Sequence, residues 1–225
     1  MALCLYGGQN PPAQNPPPQT PPAKEIPAQS LDPQANEGKG VPPRTAPTDY
    51  QAHAKVGKYT LGAEFAGHSV PTPEGIFSSE DYVAVEVGFY GPADARLRLK
   101  ADDFTLRINN KKTPLSPKPF GLVFGSLKDP SWEPPEPVEK ASKTGINTGG
   151  GGNPGDPPPA PPKMPFPLVR AMQQHVSKAA LPEGDRALPQ AGLIFFSYHG
   201  KDSGIKQLEL TYAGPAGKVF IALHP

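Results

Sequence analysis

The sequence predicts a mainly β protein, built as a two-sheet antiparallel sandwich with one helix, and three observations favour this fold class. Several short segments alternate apolar and polar residues with a period of two, as strands with one buried face do. Proline accounts for 34 of the 225 residues, which argues against a helical bundle because proline breaks helices. The prolines also cluster, and this leaves two regions rich in strand patterns.

The proline distribution predicts the domain organisation. Residues 1–50 hold 12 prolines and residues 128–165 hold 11 more. Both stretches have too little apolar surface to offset chain entropy. We therefore expect a disordered Pro-rich tail over 1–50 and a disordered Pro/Gly-rich insertion over 128–165. The remaining residues, 51–127 and 166–225, would form a single domain; two separate domains are the alternative, although a C-terminal piece this short would be marginally stable alone.

Strand patterns before the insertion are clear in three places. Alternation predicts strands over 59–65, 82–90 and 104–108. Asn109-Asn110 follows the third of these, and asparagine tolerates the left-handed conformation that a tight turn needs. Shorter apolar patterns at Leu97–Leu99 and at 122–124 suggest two further strands.

After the insertion, residues 166–181 have the pattern of a helix. Prolines suit its first turn, Pro182 ends it, and apolar residues spaced by four form one stripe: Leu168, Met172, Val176 and Ala180. Residues 193–198 are apolar on both faces, which is typical of a buried central strand. Two alternating strands follow at 208–212 and 219–223, and the turn 214–217 joins them.

The N-terminal residues bear on the compartment. Residues 1–8 resemble the end of a signal peptide, with a brief apolar stretch followed by small residues. We therefore expect an extracytoplasmic protein, periplasmic or secreted, whose true start lies upstream of Met1; a cytoplasmic protein with an apolar start is the alternative. Cys4 is the single cysteine, so a disulfide within the chain and a cysteine-based zinc site are both excluded.

Charge and hydropathy exclude two classes of partner. The formal net charge is +1 and the longest basic run is Lys111-Lys112, so nucleic acid is not expected as a partner. The apolar runs are far shorter than the roughly 20 residues of a membrane span. The expected partner is an unknown protein or a component of the cell envelope.

The order of the strand segments resembles a known family. The residues that carry the likeness are Tyr59-Thr60-Leu61-Gly62, the strand 82–87, Asp103–Arg107 with the Asn-rich turn, and the segments 192–196, 208–212 and 218–223. This pattern is similar to the telokin-like immunoglobulin-fold domain of unknown function found in bacterial exported proteins and lipoproteins. The resemblance implies an immunoglobulin-like, extracytoplasmic and non-enzymatic sandwich, and it carries over no site residues. The insertion and the helix depart from the pattern, as does the absence of a lipobox.

We predict no catalytic, cofactor-binding or metal-binding residues, since each candidate motif lacks its context. Gly150, Gly152 and Gly155 match the dinucleotide fingerprint but lie in a Pro/Gly tract without strand or helix. Ser203 and Lys206 match S-x-x-K, but the sequence predicts a β-turn there and not a helix start.

Two alternatives to a binding or structural module remain open. A hydrolase-like enzyme could assemble its site on folding from His199 or from the acidic pairs Glu80-Asp81 and Asp102-Asp103. The same pairs could supply oxygen ligands to calcium only if a loop placed several more. A cytoplasmic adaptor is the second alternative, because Pro18–Pro21 fits the P-x-x-P pattern that SH3-like grooves bind.

Overall fold

The computed structural model describes Met1 and residues 38–135 and 163–225. Thirteen strands and two α-helices lie within these residues. The strands are β1 (Ala52–Val56), β2 (Tyr59–Gly67), β3 (Ser69–Thr72), β4 (Gly75–Ser79), β5 (Tyr82–Tyr90), β6 (Arg96–Leu99), β7 (Phe104–Ile108), β8 (Pro117–Lys118), β9 (Leu127–Lys128), β10 (Gly184–Ala187), β11 (Gln190–Ser197), β12 (Leu208–Gly214) and β13 (Gly217–Leu223). The helices are α1 (Phe120–Val123) and α2 (Phe166–Ala179).

A five-stranded antiparallel sheet, in the order β1-β2-β5-β11-β8, organises the molecule. The register of β2 against β5 shifts between Phe65 and Gly67. Gly67 has a φ of 63° at this irregularity, and a Cβ there would lie 2.6 Å from Asp202 Oδ2. Glycine is therefore required at this position both by the backbone conformation and by the close approach.

A three-stranded sheet, β13-β12-β7, packs against one face of the five-stranded sheet. Alternate side chains of both sheets meet in one apolar core, in which Phe89, Phe104 and Tyr212 are fully buried with ring centroids 5.1–6.0 Å apart. The segment after β7 connects the sheets, because Leu115 pairs with Leu106 and β8 then joins β11.

The opposite face of the five-stranded sheet is covered by α2 and by a small sheet, β3-β4-β9. Met172, Val176 and Ala179 of the helix pack with Leu193 and Phe195 of β11 in a second apolar cluster. Strands β5 and β11 are therefore buried on both faces, and for β11 this agrees with the apolar character of 193–198.

Residues 38–50 differ from the prediction, because they pack against the domain and are not part of a disordered tail. The N–H of Lys39 donates to the carbonyl of Lys178, and Val41 bridges to Ala191 of β11. Tyr50 is 4% exposed. Burial of this aromatic ring and the backbone bonds explain why the segment is ordered despite three prolines among these residues.

The structure confirms some of the other predictions and corrects others. The mainly β class with one main helix is confirmed, and the predicted helix 166–181 corresponds to Phe166–Ala179. The expected strand at 122–124 is wrong: Phe120–Val123 is helical and a 3₁₀ turn, Phe124–Ser126, follows it. The insertion starts later than expected, since Lys128 pairs with Ser78 in the small sheet. The rest of the predicted tail and insertion, residues 2–37 and 136–162, lies outside the described residues.

Within the described ranges, neither helix combines the length and the apolar character that a membrane crossing requires.

Candidate binding site

A cavity of about 340 Å³ opens beside the outer edge of β11. Its floor is formed by residues 193–195, and its walls by Ala180, Leu181 and residues 117–120. The 3₁₀ turn Ala101–Asp103 and Glu183 complete the rim. The volume falls within the usual range of ligand-binding clefts, roughly 300–1,000 Å³.

Strand pairing explains why the cavity lies at this point. The outer edge of β11 is covered first by the bridge from Val41 to Ala191 and then by the bridge from Ala180 to Leu193. Further along, β8 pairs with Phe195 and Phe196. Because these segments occupy the backbone groups of the edge, the opening between them admits side chains and not an added strand.

The rim of the cavity carries charges of both signs. Asp102, Glu183 and Lys118 all line the cavity, so its lining carries two carboxylates and one ammonium. Glu183 is held in place, because its Oε1 accepts the N–H of Ala101 at 3.1 Å. Asp102 has neither a hydrogen bond nor an ion pair with any residue that the structure describes. Apolar walls with a net negative rim favour a ligand with an apolar body and a positive end.

The acidic pair Asp102-Asp103 is divided between two environments. Asp102 is exposed at the rim, whereas Asp103 Oδ2 is buried and has no hydrogen-bond partner among the described residues. Burial raises the pKa of Asp103; the charge of Lys100 opposes this, and the charges of Asp102 and Glu183 reinforce it. The pair therefore does not act as a joint oxygen site for calcium.

The pair Glu80-Asp81 is likewise separated by its contacts. Glu80 forms an ion pair with Lys128, while Asp81 Oδ1 lies 3.0 Å from Nδ1 of His199. The side chains of His199 and Asp81 are 72% and 49% exposed. In the described part of the chain, neither of these two side chains has another hydrogen-bond partner. The contact orients an imidazole at the surface without a nucleophile beside it.

His68 is a residue whose role the sequence did not indicate. Its Nδ1 lies 2.7 Å from the carbonyl oxygen of Ser79, and its Nε2 lies 2.7 Å from that of Gly200. Asp202 Oδ1 is 3.6 Å from the same Nε2, and the ring stacks on Tyr198. Both ring nitrogens thus face backbone carbonyl oxygens. His68 joins three backbone segments, which is a structural role.

A second concave surface, of about 320 Å³, lies near the ends of β7, β12 and β13. Arg107 and Lys206 contribute positive groups there, and Glu209 lies 3.5 Å from Arg107. It is a more open and more polar hollow than the β11 cavity. We therefore treat the β11 cavity as the better candidate for a ligand.

The remaining sequence motifs do not form a functional site among the described residues. Ser203 lies in the 3₁₀ turn Asp202–Gly204, and the N–H of Lys206 donates to Asn109 Oδ1, so the S-x-x-K match is not at the start of an α-helix. The glycines at 150–155 lie outside the described residues. Across residues 38–135 and 163–225, no cluster of three or more His, Cys, Asp or Glu side chains could hold a metal ion.

Comparison with known proteins gives no match: no family model, no curated protein and no solved structure is similar to this chain.

Proposed function

We propose that this protein is a non-enzymatic binding module with an immunoglobulin-like sandwich, which contacts a protein or an envelope component through the β11 cavity. The observation that carries the proposal is the cavity itself, which combines apolar walls with charged groups at its rim. Such a combination supplies affinity through apolar burial and orientation through charge. The likeness of the strand order to the telokin-like domain supports the immunoglobulin-like assignment.

The contacts of the ionisable side chains support a non-enzymatic role. A general base needs a nucleophile or a substrate position within hydrogen-bond distance, in a site that excludes water. The His199–Asp81 pair is largely exposed, and His68 is surrounded by backbone carbonyls. Neither histidine faces the β11 cavity, whose lining contains no histidine.

Site-specific cross-linking in the producing cells tests the proposal. A photoreactive residue is placed at Phe120, which lines the cavity, or at Phe220, a 55% exposed control on β13. We expect a discrete cross-link from position 120 only, and its loss when Ala101→Leu fills the cavity. Equal cross-linking from both positions, or a cross-link from 120 that survives Ala101→Leu, would contradict a binding role for the cavity.

The hydrolase-like alternative needs its own test, because His199 and Asp81 form a histidine–carboxylate pair with a 3.0 Å contact. The full chain and its His199→Ala variant are assayed on a panel of esters, peptides and phosphate esters. We expect no turnover above background with either protein. Turnover that disappears in His199→Ala would establish the enzyme and remove the non-enzymatic proposal.

We propose an extracytoplasmic location, periplasmic or secreted, from the likeness of residues 1–8 to the end of a signal peptide. Cell fractionation tests this location, with a cytoplasmic and a periplasmic marker as controls. We expect the protein in the extracytoplasmic fraction. Recovery as a free cytoplasmic protein would favour the Pro-rich adaptor instead.

A further inference from the structure

We propose that the β11 cavity binds an amphipathic cation, a ligand in which an ammonium or guanidinium group ends an apolar stem. This inference rests on the proposed function and specifies the chemistry of the ligand. The lysine or arginine side chain of a partner protein and a free alkyl or aryl amine share this chemistry.

The walls of the cavity suit the apolar part of such a ligand. Leu181 and Leu193 are buried residues that line the cavity, and the half-buried Phe120, on the segment after β8, lines it as well. A volume of about 340 Å³ accommodates one or two side chains, but not a folded segment. Because Val41, Ala180 and β8 cover the edge of β11, a partner enters by inserting side chains.

The rim suits the positive end. Asp102 has no partner among the described residues, so its carboxylate is available to a ligand without breaking a contact. Glu183 is positioned by the N–H of Ala101 and adds a second negative group. Lys118 also lines the cavity, and its ammonium would repel a cation. The two carboxylates and the lysine thus predict effects of opposite sign on the affinity for a cation.

Three probes with the same apolar body separate the contributions of charge. We would titrate the full chain with 2-phenylethylamine, 2-phenylethanol and 3-phenylpropionate and follow binding by NMR chemical shifts. The amine should bind most tightly, by about two- to fivefold over the alcohol, which is the range for a partly exposed charge contact. Equal affinity for the amine and the alcohol, or tighter binding of the carboxylate, would overturn the inference.

Two exposed variants give a sharper test, because neither is expected to disturb folding. Asp102→Asn should weaken binding of the amine by about two- to fivefold, and Lys118→Gln should strengthen it by a similar factor. Asp94→Asn is the matched control, since Asp94 is an exposed turn residue outside the cavity. An amine affinity that Asp102→Asn leaves unchanged, or that Lys118→Gln lowers, would overturn the inference.

The same experiment distinguishes the source of the ligand and separates the two proposals. A Lys–Phe peptide that binds at least tenfold more tightly than the free amine indicates a protein partner, whereas a preference for the amine indicates a small molecule. If no probe binds but the cross-link from position 120 is lost in Ala101→Leu, the cation inference fails and the proposed function stands. If the cross-link is absent as well, both fail.

Discussion

One face of the five-stranded sheet packs on a second sheet, whereas the other is covered by a helix, a small sheet and residues 38–50. The first face presents Val83, Val85 and Val87 of β5 to a continuous apolar core. On the second face, the same strand presents Ala84 to the helix cluster and Gly88 to Tyr50. Large side chains fill the first interface, whereas the second combines the apolar cluster of α2 with a close approach of the Tyr50 ring to the backbone.

Because of the contacts around residues 38–50, packing on the second face depends more on the identity of particular residues. Gly62 and Gly88 pair directly across β2 and β5, and a Cβ at either would clash with the ring of Tyr50. The guanidinium of Arg44 lies 4.4 Å from the centre of that ring and pairs with Glu64 and Glu86, which also face each other across the strands. Apolar packing tolerates exchange of similar side chains, but this arrangement depends on particular residues.

The charges of this arrangement support one another. Burial alone would lower the pKa of Arg44, but the hydrogen bonds and charges of Glu64 and Glu86 outweigh it and hold that pKa above its usual value. Burial raises the pKa of Tyr50 well above its ordinary value, and the charge of Glu86 adds to this effect. Arg44 therefore stays charged and Tyr50 neutral at physiological pH.

The largest predicted effect is on the apolar face. Phe89 is fully buried against Phe104 and Tyr212, so Phe89→Ala should lower the free energy of unfolding by about 3–5 kcal/mol. Urea denaturation followed by circular dichroism measures the change. Phe220→Ala is the control, because Phe220 is 55% exposed, and it should change stability by less than about 0.5 kcal/mol. Similar losses for both variants would show that the apolar core is not the main source of stability.

The next effect concerns the glycine pair on the second face. Gly88→Ala should displace Tyr50 and lower the free energy of unfolding by about 1–3 kcal/mol, because the added methyl group meets the ring. Urea denaturation again provides the measurement, with Gly121→Ala as control, since a Cβ at Gly121 meets no atom within 4 Å.

A double mutant sharpens this prediction. If the loss arises from the clash with Tyr50, then Gly88→Ala should cost markedly less in a Tyr50→Ala background. Additive effects of the two substitutions would mean that the glycine is required for a different reason.

The ion pairs of Arg44 should contribute less than the glycine pair. Arg44→Gln leaves Glu64 and Glu86 opposite each other without a cation, and we expect a loss of about 1 kcal/mol at low salt. Unfolding measured at low and at high salt tests the electrostatic origin, because salt should reduce the loss. Glu86→Gln in the Arg44→Gln background should restore part of the stability; no recovery would indicate that Arg44 acts through its packing on Tyr50.

The sequence predicts the first face better than the second. Alternation locates β5 at Tyr82–Tyr90 and β7 at Phe104–Ile108, because large apolar side chains occupy one face of each strand. Positive φ values at Asn109 and Asn110 likewise agree with the expected turn. Residues 38–50 have no such pattern, since their order depends on Tyr50 and Arg44 contacting strands that lie 12 or more residues away.

The candidate site is harder to predict than the strands. Asp102 is visible in the sequence as part of an acidic pair, but nothing local distinguishes it from Asp103, which lies under Gly214 and Tyr212. The lining of the cavity comes from segments spread along the chain from Gly38 to Phe195, and only folding brings Glu183 next to Ala101. Spacing within one segment carries no signal for such a site.

The smallest predicted effect is an increase in the free energy of unfolding, and it concerns the buried carboxyl of Asp103. Asp103 Oδ2 is buried without a partner in the described residues, near the Tyr212 hydroxyl, and burial raises the pKa of this carboxyl. When the pKa of a carboxyl is higher in the folded state, the protein loses stability as the pH rises from the unfolded pKa, about 3.9, through the folded value.

Asp103→Asn should therefore be more stable than the parent protein at pH 7, with the difference shrinking towards pH 3. Urea unfolding of both proteins at pH 3, 5 and 7 measures this difference. A constant difference across that range would show that Asp103 does not titrate differently on unfolding, and a parent protein more stable at pH 7 would mean that its carboxylate is stabilised in the fold.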